Sequence, residues 1–206
     1  MSPTHVYLVR HAETTWNAER RLQGTLDAPL SDRGTRQLRD LTEALRSVQL
    51  AAIYSSPLSR ARDTAEPIGA AHSLPVQIVD EFREMDQGDW EGRLVDDVVA
   101  EDGERVQAWW DAPHEVQLPG GESLAQVRDR ALRAFDAVAA RHRGQAIAIV
   151  AHGGVNKVLL LAALGAPLSH HGRIRQSNAC INLIEVDEGV ARVIALNDTA
   201  HLSPDG

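Results

Sequence analysis

Short apolar runs alternate along the chain with amphipathic stretches of helical period. That alternation restricts the fold to an α/β architecture with a mainly parallel central sheet. Residues 5–9 read as the first strand. Residues 31–48 read as a helix, because Leu38, Leu41, Leu45 and Val48 recur on one face. After a short strand at 51–55, Ser56-Pro57 has the pattern of an N-cap followed by proline at the first helical position. That helix is expected to run to about residue 71, bent at Pro67. A strand at 76–79 leads into a loop at 80–92 and a helical stretch at 94–110, broken near Gly103. Ser123 is the expected N-cap of a long helix with Leu124, Val127, Ala131, Phe135 and Val138 on its core face. A buried strand at 146–150, an apolar helix at 154–164 and a strand pair at 181–186 and 190–196 complete the chain. No repeat or low-complexity linker divides the 206 residues, so one domain over 1–206 is expected, with a helical excursion at about 81–121.

Composition narrows the function classes. With 21 basic and 29 acidic residues the net charge is −8, which disfavours nucleic-acid binding, since a phosphate backbone needs a basic surface. A small anion held by a few local arginines remains compatible. The only cysteine, Cys180, rules out an intramolecular disulfide, argues against a thiolate metal site and is expected in the core. No H-x-x-x-H pattern supports a metal site either. No stretch approaches the ~20 apolar residues of a membrane span, and the first ten residues lack the features of a signal peptide. The expectation is a soluble, cytoplasmic protein with no nucleic-acid or membrane partner.

Topology then says where chemistry should lie. Arg10-His11 directly follows the first strand, His152 follows the strand at 146–150, and Arg60 lies early in the helix after the second strand. The carboxyl ends of parallel strands share one edge, where ligands bind. Two histidines and two arginines are therefore expected to meet there. Arginine's planar fork matches a phosphate monoester, and neutral histidine is a nucleophile toward phosphorus. The leaving oxygen needs a proton, and a carboxylic acid in a partly buried, anion-rich pocket can supply it. Glu84 is the candidate, with Glu13 and Glu91 read as structural or rim residues. Arg62, two positions from Arg60, points elsewhere on a helix. The Trp109-Trp110 pair could stack on a ligand, but it reads as packing of a helix against the core, or as one ring packed and the other at an interface.

The segment Leu8-Val9-Arg10-His11-Ala12-Glu13-Thr14-Thr15-Trp16-Asn17 resembles the signature of the histidine phosphatase, or phosphoglycerate mutase-like, superfamily. The resemblance continues through Gln23-Gly24, Ser55-Ser56-Pro57-Leu58-Ser59-Arg60-Ala61, the loop at 84–92, Gly120-Gly121-Glu122-Ser123 and Ala151-His152-Gly153-Gly154. Ala12 departs from the commoner glycine. The resemblance implies a three-layer α/β/α sandwich, His11 as the phosphorylated nucleophile and Glu84 as proton donor. Arg10, Arg60 and His152 would line the phosphate pocket, assisted by Asn17 and the Gly153 N–H, with no metal or cofactor. Gln23, Gly24 and Gln87 would face the substrate.

Within the family, only about thirty residues separate Gly92 from Glu122, where mutases carry an insertion, and Trp109-Trp110-Asp111 stands where mutases have an arginine pair. These features resemble the phosphatase branch, including metal-independent phosphoserine, α-ribazole and broad-specificity phosphatases. Phosphoserine-selective members tend to carry histidine where Gln87 stands. The expected substrate is a small phosphorylated metabolite, phosphoserine or a relative. A mutase-type phosphotransferase and a catalytically silent binding domain are the alternatives. A homodimer is one possible assembly, with His201 reaching either the cleft or a partner subunit.

Overall fold

A computed structural model describes residues 2–203 of the chain. Six strands form one sheet in the order β3-β2-β4-β1-β5-β6. β1 (Thr4–Arg10), β2 (Leu50–Ser55), β3 (Val76–Ile78) and β4 (Ala146–Ala151) run parallel. β5 (Ile181–Asp187) and β6 (Val190–Asp198) extend the sheet as an antiparallel hairpin beside β1. The central strands are covered on both faces, which is why they read as apolar runs rather than alternating patterns.

Helices α2 (Asp32–Leu45) and α3 (Ser59–His72) lie on one face. There Leu41, Leu45, Ala61, Ala65 and Ile68 pack on Val9, Ile53, Ala148 and Val150. Helices α6 (Leu124–Arg141) and α7 (Gly153–Ala163) lie on the other, against Val6, Leu8, Ile147 and Ile149. All five residues expected on the core face of α6 are buried, and Ser123 caps it with a reciprocal Gln126 bond. The short helices α1 (Thr15–Ala18), α4 (Val95–Glu101) and α5 (Gly103–Asp111) connect these layers, and Val98 and Val106 join the second core. No helix among the described residues is long and apolar enough to cross a membrane.

Three local expectations are corrected. Helix α3 begins at Ser59 rather than at Pro57. Leu58 holds the N-cap position without a side-chain cap, while Ser56 Oγ, two residues earlier, accepts the Leu58 N–H at 3.2 Å and bonds His152 at 2.7 Å. The stretch 80–92 is not a plain loop: it contains 3-10 turns at Asp80–Phe82 and Gly88–Trp90, which bury Phe82 and Trp90. The buried stripe of α2 is Gly34, Gln37, Leu41 and Leu45, with Leu38 at its margin and Val48 beyond the helix end.

That rotation of α2 has a cause in its first turn, which docks on the segment after β1. Ser31 N–H donates to the Glu13 carbonyl (2.9 Å), and Ser31 Oγ donates to Glu13 Oε1 (2.8 Å). Gln37 Oε1 accepts the Glu13 N–H at 2.9 Å. A Cβ on Gly34 would lie 2.0 Å from the Glu13 carbonyl oxygen, so only glycine permits this approach.

A second clamp sits on the opposite side of the sheet. Arg130 of α6, 7% exposed, pairs bidentately with Glu122 through Nε and Nη2, each at 2.8 Å. Its remaining donors reach the carbonyls of Glu81, Arg83 and Glu84 at 2.6, 2.8 and 3.0 Å. Glu122 Oε2 also accepts the Asp86 N–H at 3.0 Å. One buried guanidinium thus fixes the path of residues 81–86.

Two stability predictions follow from these clamps. Gly34→Ala should lower the unfolding free energy by about 1–3 kcal/mol, since backbone rather than a flexible side chain must yield; urea denaturation measures it. Arg130→Met should cost about 3–5 kcal/mol by removing the bidentate partner of Glu122, which keeps only Arg83 and the Asp86 N–H, and by leaving three carbonyls without their donor. A change in denaturation midpoint within error of wild type would contradict that account.

Candidate active site

The carboxyl edge of the parallel strands brings the sequence-predicted groups together. β1 delivers Arg10 and, one residue on, His11; His152 directly follows β4; the β2–α3 connection delivers Ser56, and the first turn of α3 delivers Arg60. The rings of His11 and His152 lie with centroids 5.2 Å apart. Both are buried, at 3% and 0% exposure, as is Arg60 at 1%.

Neutral acceptors orient the two guanidiniums. Arg60 Nη1 and Nη2 donate to the carbonyls of Leu26 and Gly24, both at 2.7 Å, and Nη1 lies 3.5 Å from Asp27 Oδ1. Arg10 Nη1 donates to the Gln176 carbonyl. The Nε atoms of Arg10 and Arg60 and the Nδ1 of His152 are buried without a hydrogen-bond partner. Unsatisfied buried polar groups are rare and costly in proteins, and a cluster of nitrogens left so fits an anion.

The electrostatics follow from this geometry. Burial, then Arg60 and Arg10, hold the His11 pKa well below the ordinary histidine value. Burial, then Arg60, His11 and Arg10, do the same to His152. Both rings are therefore neutral near pH 7. His11 Nδ1 lies 2.8 Å from the Ala12 carbonyl, which can only accept, so the ring proton sits on Nδ1 and Nε2 keeps its lone pair. His152 Nε2 meets Ser56 Oγ at 2.7 Å.

Glu84 reaches the same edge. Its Oε1 accepts from the N–H groups of Met85 (2.9 Å) and Val155 (3.3 Å), and its Oε2 from Gly154 (3.1 Å). The first turn of α7 therefore points its amides at this carboxyl group. Gly153 lies beside Arg10, with its Cβ position 3.5 Å from Arg10 Nε; the amides engaged by Glu84 are those of Gly154 and Val155.

The remaining predicted residues spread around this centre. Asn17 Oδ1 accepts from the Thr14 N–H and from Asn178 Nδ2, both at 3.1 Å, and closes the capping box of α1. Gln23 is buried, its Oε1 accepting the Thr14 hydroxyl at 3.0 Å. Gly24 has φ +52°, a conformation that favours glycine, and its carbonyl serves Arg60. Gln87 lines a cavity of about 130 Å³ with Leu22, Trp90, Trp109 and Trp110. Its backbone N–H donates to Glu91 Oε1 at 3.0 Å, and its own Oε1 is buried without a partner.

Glu13 and Glu91 hold backbone and loop groups in place, as expected of structural residues. Trp109 packs edge-on to His171 while Trp110 is exposed, and Cys180 is fully buried. His201 donates through Nε2 to the Ala179 carbonyl, 3.1 Å away. Among the described residues no three His, Cys, Asp or Glu side chains gather as a metal-ligand set.

Several supporting residues escaped sequence reasoning. Thr64 Oγ1 accepts the Ala12 N–H at 3.0 Å, and Asn178 Nδ2 donates to the His11 carbonyl at 3.2 Å. Gln176, bonded to Asn156 and Asn182, presents its carbonyl to Arg10. Ser56 read as a helix cap, since a Ser-Pro pair carries the same local signal whether its hydroxyl faces a helix or a histidine distant in sequence.

Comparison with known proteins identifies the family and the fold. Residues 6–199 match the model of the histidine phosphatase superfamily, branch 1. Phosphoserine phosphatase 1 of Hydrogenobacter thermophilus is 39% identical over 195 residues, covering 95% of this chain and 92% of that protein. The probable phosphoglycerate mutase GpmB of Salmonella choleraesuis is 35% identical, covering 89% of this chain and 85% of its own. The solved structure of Bacillus stearothermophilus YhfR superposes with a TM-score of 0.93 at 37% identity, covering 97% of this chain and all of that one. With its signature residues gathered at one sheet edge and a match spanning nearly its whole length, the chain belongs to the histidine phosphatase superfamily, branch 1.

Proposed function

We propose that the protein is a phosphomonoesterase that hydrolyses small phosphorylated metabolites through a phosphohistidine at His11. The observation that carries this reading is the cluster of buried, unpartnered nitrogens on Arg10, Arg60 and His152 beside a neutral His11. A phosphoryl group bound there satisfies those nitrogens and brings the negative charge that offsets two guanidiniums.

His11 Nε2 attacks phosphorus in line, forming the N–P bond as the ester P–O bond breaks. Glu84 gives its proton to the departing oxygen. Water then attacks the phosphohistidine and returns a proton to Glu84, the N–P bond breaks, and phosphate leaves. With Ser56 donating to His152 Nε2, the His152 ring proton sits on Nδ1, where it faces the equatorial oxygens. Gln87 weighs against strict phosphoserine selectivity, since glutamine can bond a carboxylate but brings no charge to it. A mutase reading has one finding in its favour, the likeness to GpmB. The short connection between Gly92 and Glu122 favours hydrolysis instead.

His11→Ala should lower kcat/KM on an aryl phosphate roughly a thousandfold or more, and rapid quench with labelled substrate should trap label on wild type alone. Full activity in the variant ends the proposal, and label moving between positions of phosphoglycerate faster than phosphate is released favours the mutase. Glu84→Gln should slow alkyl phosphates far more than p-nitrophenyl phosphate, whose leaving group needs little protonation.

The lowered His11 pKa has a definite sign. The neutral nucleophile persists below the reference value of about 6.5 and is lost only as pH falls through its depressed folded value. In ¹⁵N NMR of the free enzyme, the His11 ring signals should therefore keep their neutral positions at pH 6, and half-protonation near pH 6.5 would contradict it.

A further inference from the structure

Lys157 is the only lysine among the chain's 21 basic residues, and it stands on α7. Helical side chains lean toward the helix N-terminus, and residues three and four apart share a face. Lys157 therefore extends over Gly154 and Gly153, neither of which has a side chain to block it. Those two positions border the candidate site. A Cβ on Gly153 would lie 3.5 Å from Arg10 Nε, and one on Gly154 would lie 2.6 Å from Glu84 Oε1.

The charge surroundings of Lys157 match that placement. Burial, then Arg10, lowers its pKa, while Glu84 raises it. The side chain is partly buried, yet it makes no hydrogen bond or ion pair with any described residue. His171, the other titratable neighbour, offers no counter-charge: burial and then Lys157 push its pKa down to about 3. An ammonium partly withdrawn from water without a partner is unfavourable in the free protein, which directs attention to a ligand that pairs it.

We propose that the Lys157 ammonium binds a second anionic group, carboxylate or phosphate, on the leaving-group half of the substrate. This selects phosphate esters of acidic alcohols over those of neutral alcohols. The inference rests on the phosphomonoesterase reading and adds to it. The leaving-group half is assigned because Lys157 neighbours Glu84, the group that protonates the departing oxygen. Arg10, Arg60 and His152 already account for the transferred phosphoryl group. Lysine suits the task because its compact charge on a flexible stem follows an anion whose position varies with the alcohol.

3-Phosphoglycerate and glycerol 1-phosphate form the decisive pair, since they differ in a carboxylate against a hydroxymethyl group. Lys157→Gln should reduce kcat/KM for 3-phosphoglycerate at least tenfold more than for glycerol 1-phosphate, mainly through KM, with partial rescue in Lys157→Arg. Losses equal within about twofold on both substrates overturn the proposal. If wild type hydrolyses an aryl phosphate but neither ester, the Lys157 assignment is overturned while the phosphomonoesterase reading stands; inactivity on all three ends both.

A second measurement does not depend on turnover or on a Lys157 variant. With a single ε-amine in the chain, acetylation of Lys157 in the His11→Ala protein can be followed by mass spectrometry. Saturating 3-phosphoglycerate should slow that acetylation about tenfold relative to saturating glycerol 1-phosphate, and equal rates with the two ligands overturn the assignment.

Discussion

A permanently charged guanidinium held almost entirely out of water is the constraint from which the rest of this site follows. Arg60 cannot discard its proton, so its burial has to be offset by fixed dipoles. The Gly24 and Leu26 carbonyls provide two of them, and Asp27 lies at the edge. Because the acceptors are mainly neutral, the positive field is not cancelled. Burial first, and that field second, lower the pKa of His11 and His152 and leave both rings neutral. On the proposed reading, anion affinity and an available lone pair come from one arrangement: burial beside cations that suit an anion also keeps the His11 ring neutral.

Such an arrangement works only if the backbone around it is rigid. The segment after β1 is tied to α2 through Ser31, Gly34 and Gln37, to α3 through Thr64, and to the 176–178 segment through Asn178. Glu84 rides on a loop that lacks regular structure beyond two short turns, and Arg130 supplies what the loop lacks by collecting three of its carbonyls. Both clamps are polar and long-range, and each uses a group on a helix to fix a segment that carries chemistry.

Much of this was legible in the sequence. Strands buried on both faces are unbroken apolar runs, and α6 is an apolar stripe of regular period with a capping box at its start. Arg10 closes β1, and His11 and His152 follow strand ends, so a parallel sheet places them at one edge. The exceptions share a cause. Ser56 was misread because local sequence does not reveal which partner a hydroxyl finds. Leu38 lost its place on the buried stripe because the docking of Gly34 on Glu13, not periodicity alone, sets the rotation of α2. Thr64, Gln176, Asn178 and Arg130 are ordinary polar residues in sequence, and their work appears only where their partners are brought to them.

By itself the sequence determined the α/β class, the helix and strand succession, the family and the residue types available for phosphoryl chemistry, since these depend on periodicity, strand-end position and contiguous motifs. Tertiary structure alone decided which nitrogens are left without partners, which imidazole nitrogen carries the proton, and that Lys157 shares the neighbourhood of Glu84 and Arg10. The physical reason is that burial, field strength and hydrogen-bond partnership are properties of groups far apart in the chain, and they take their values only when folding sets the distances.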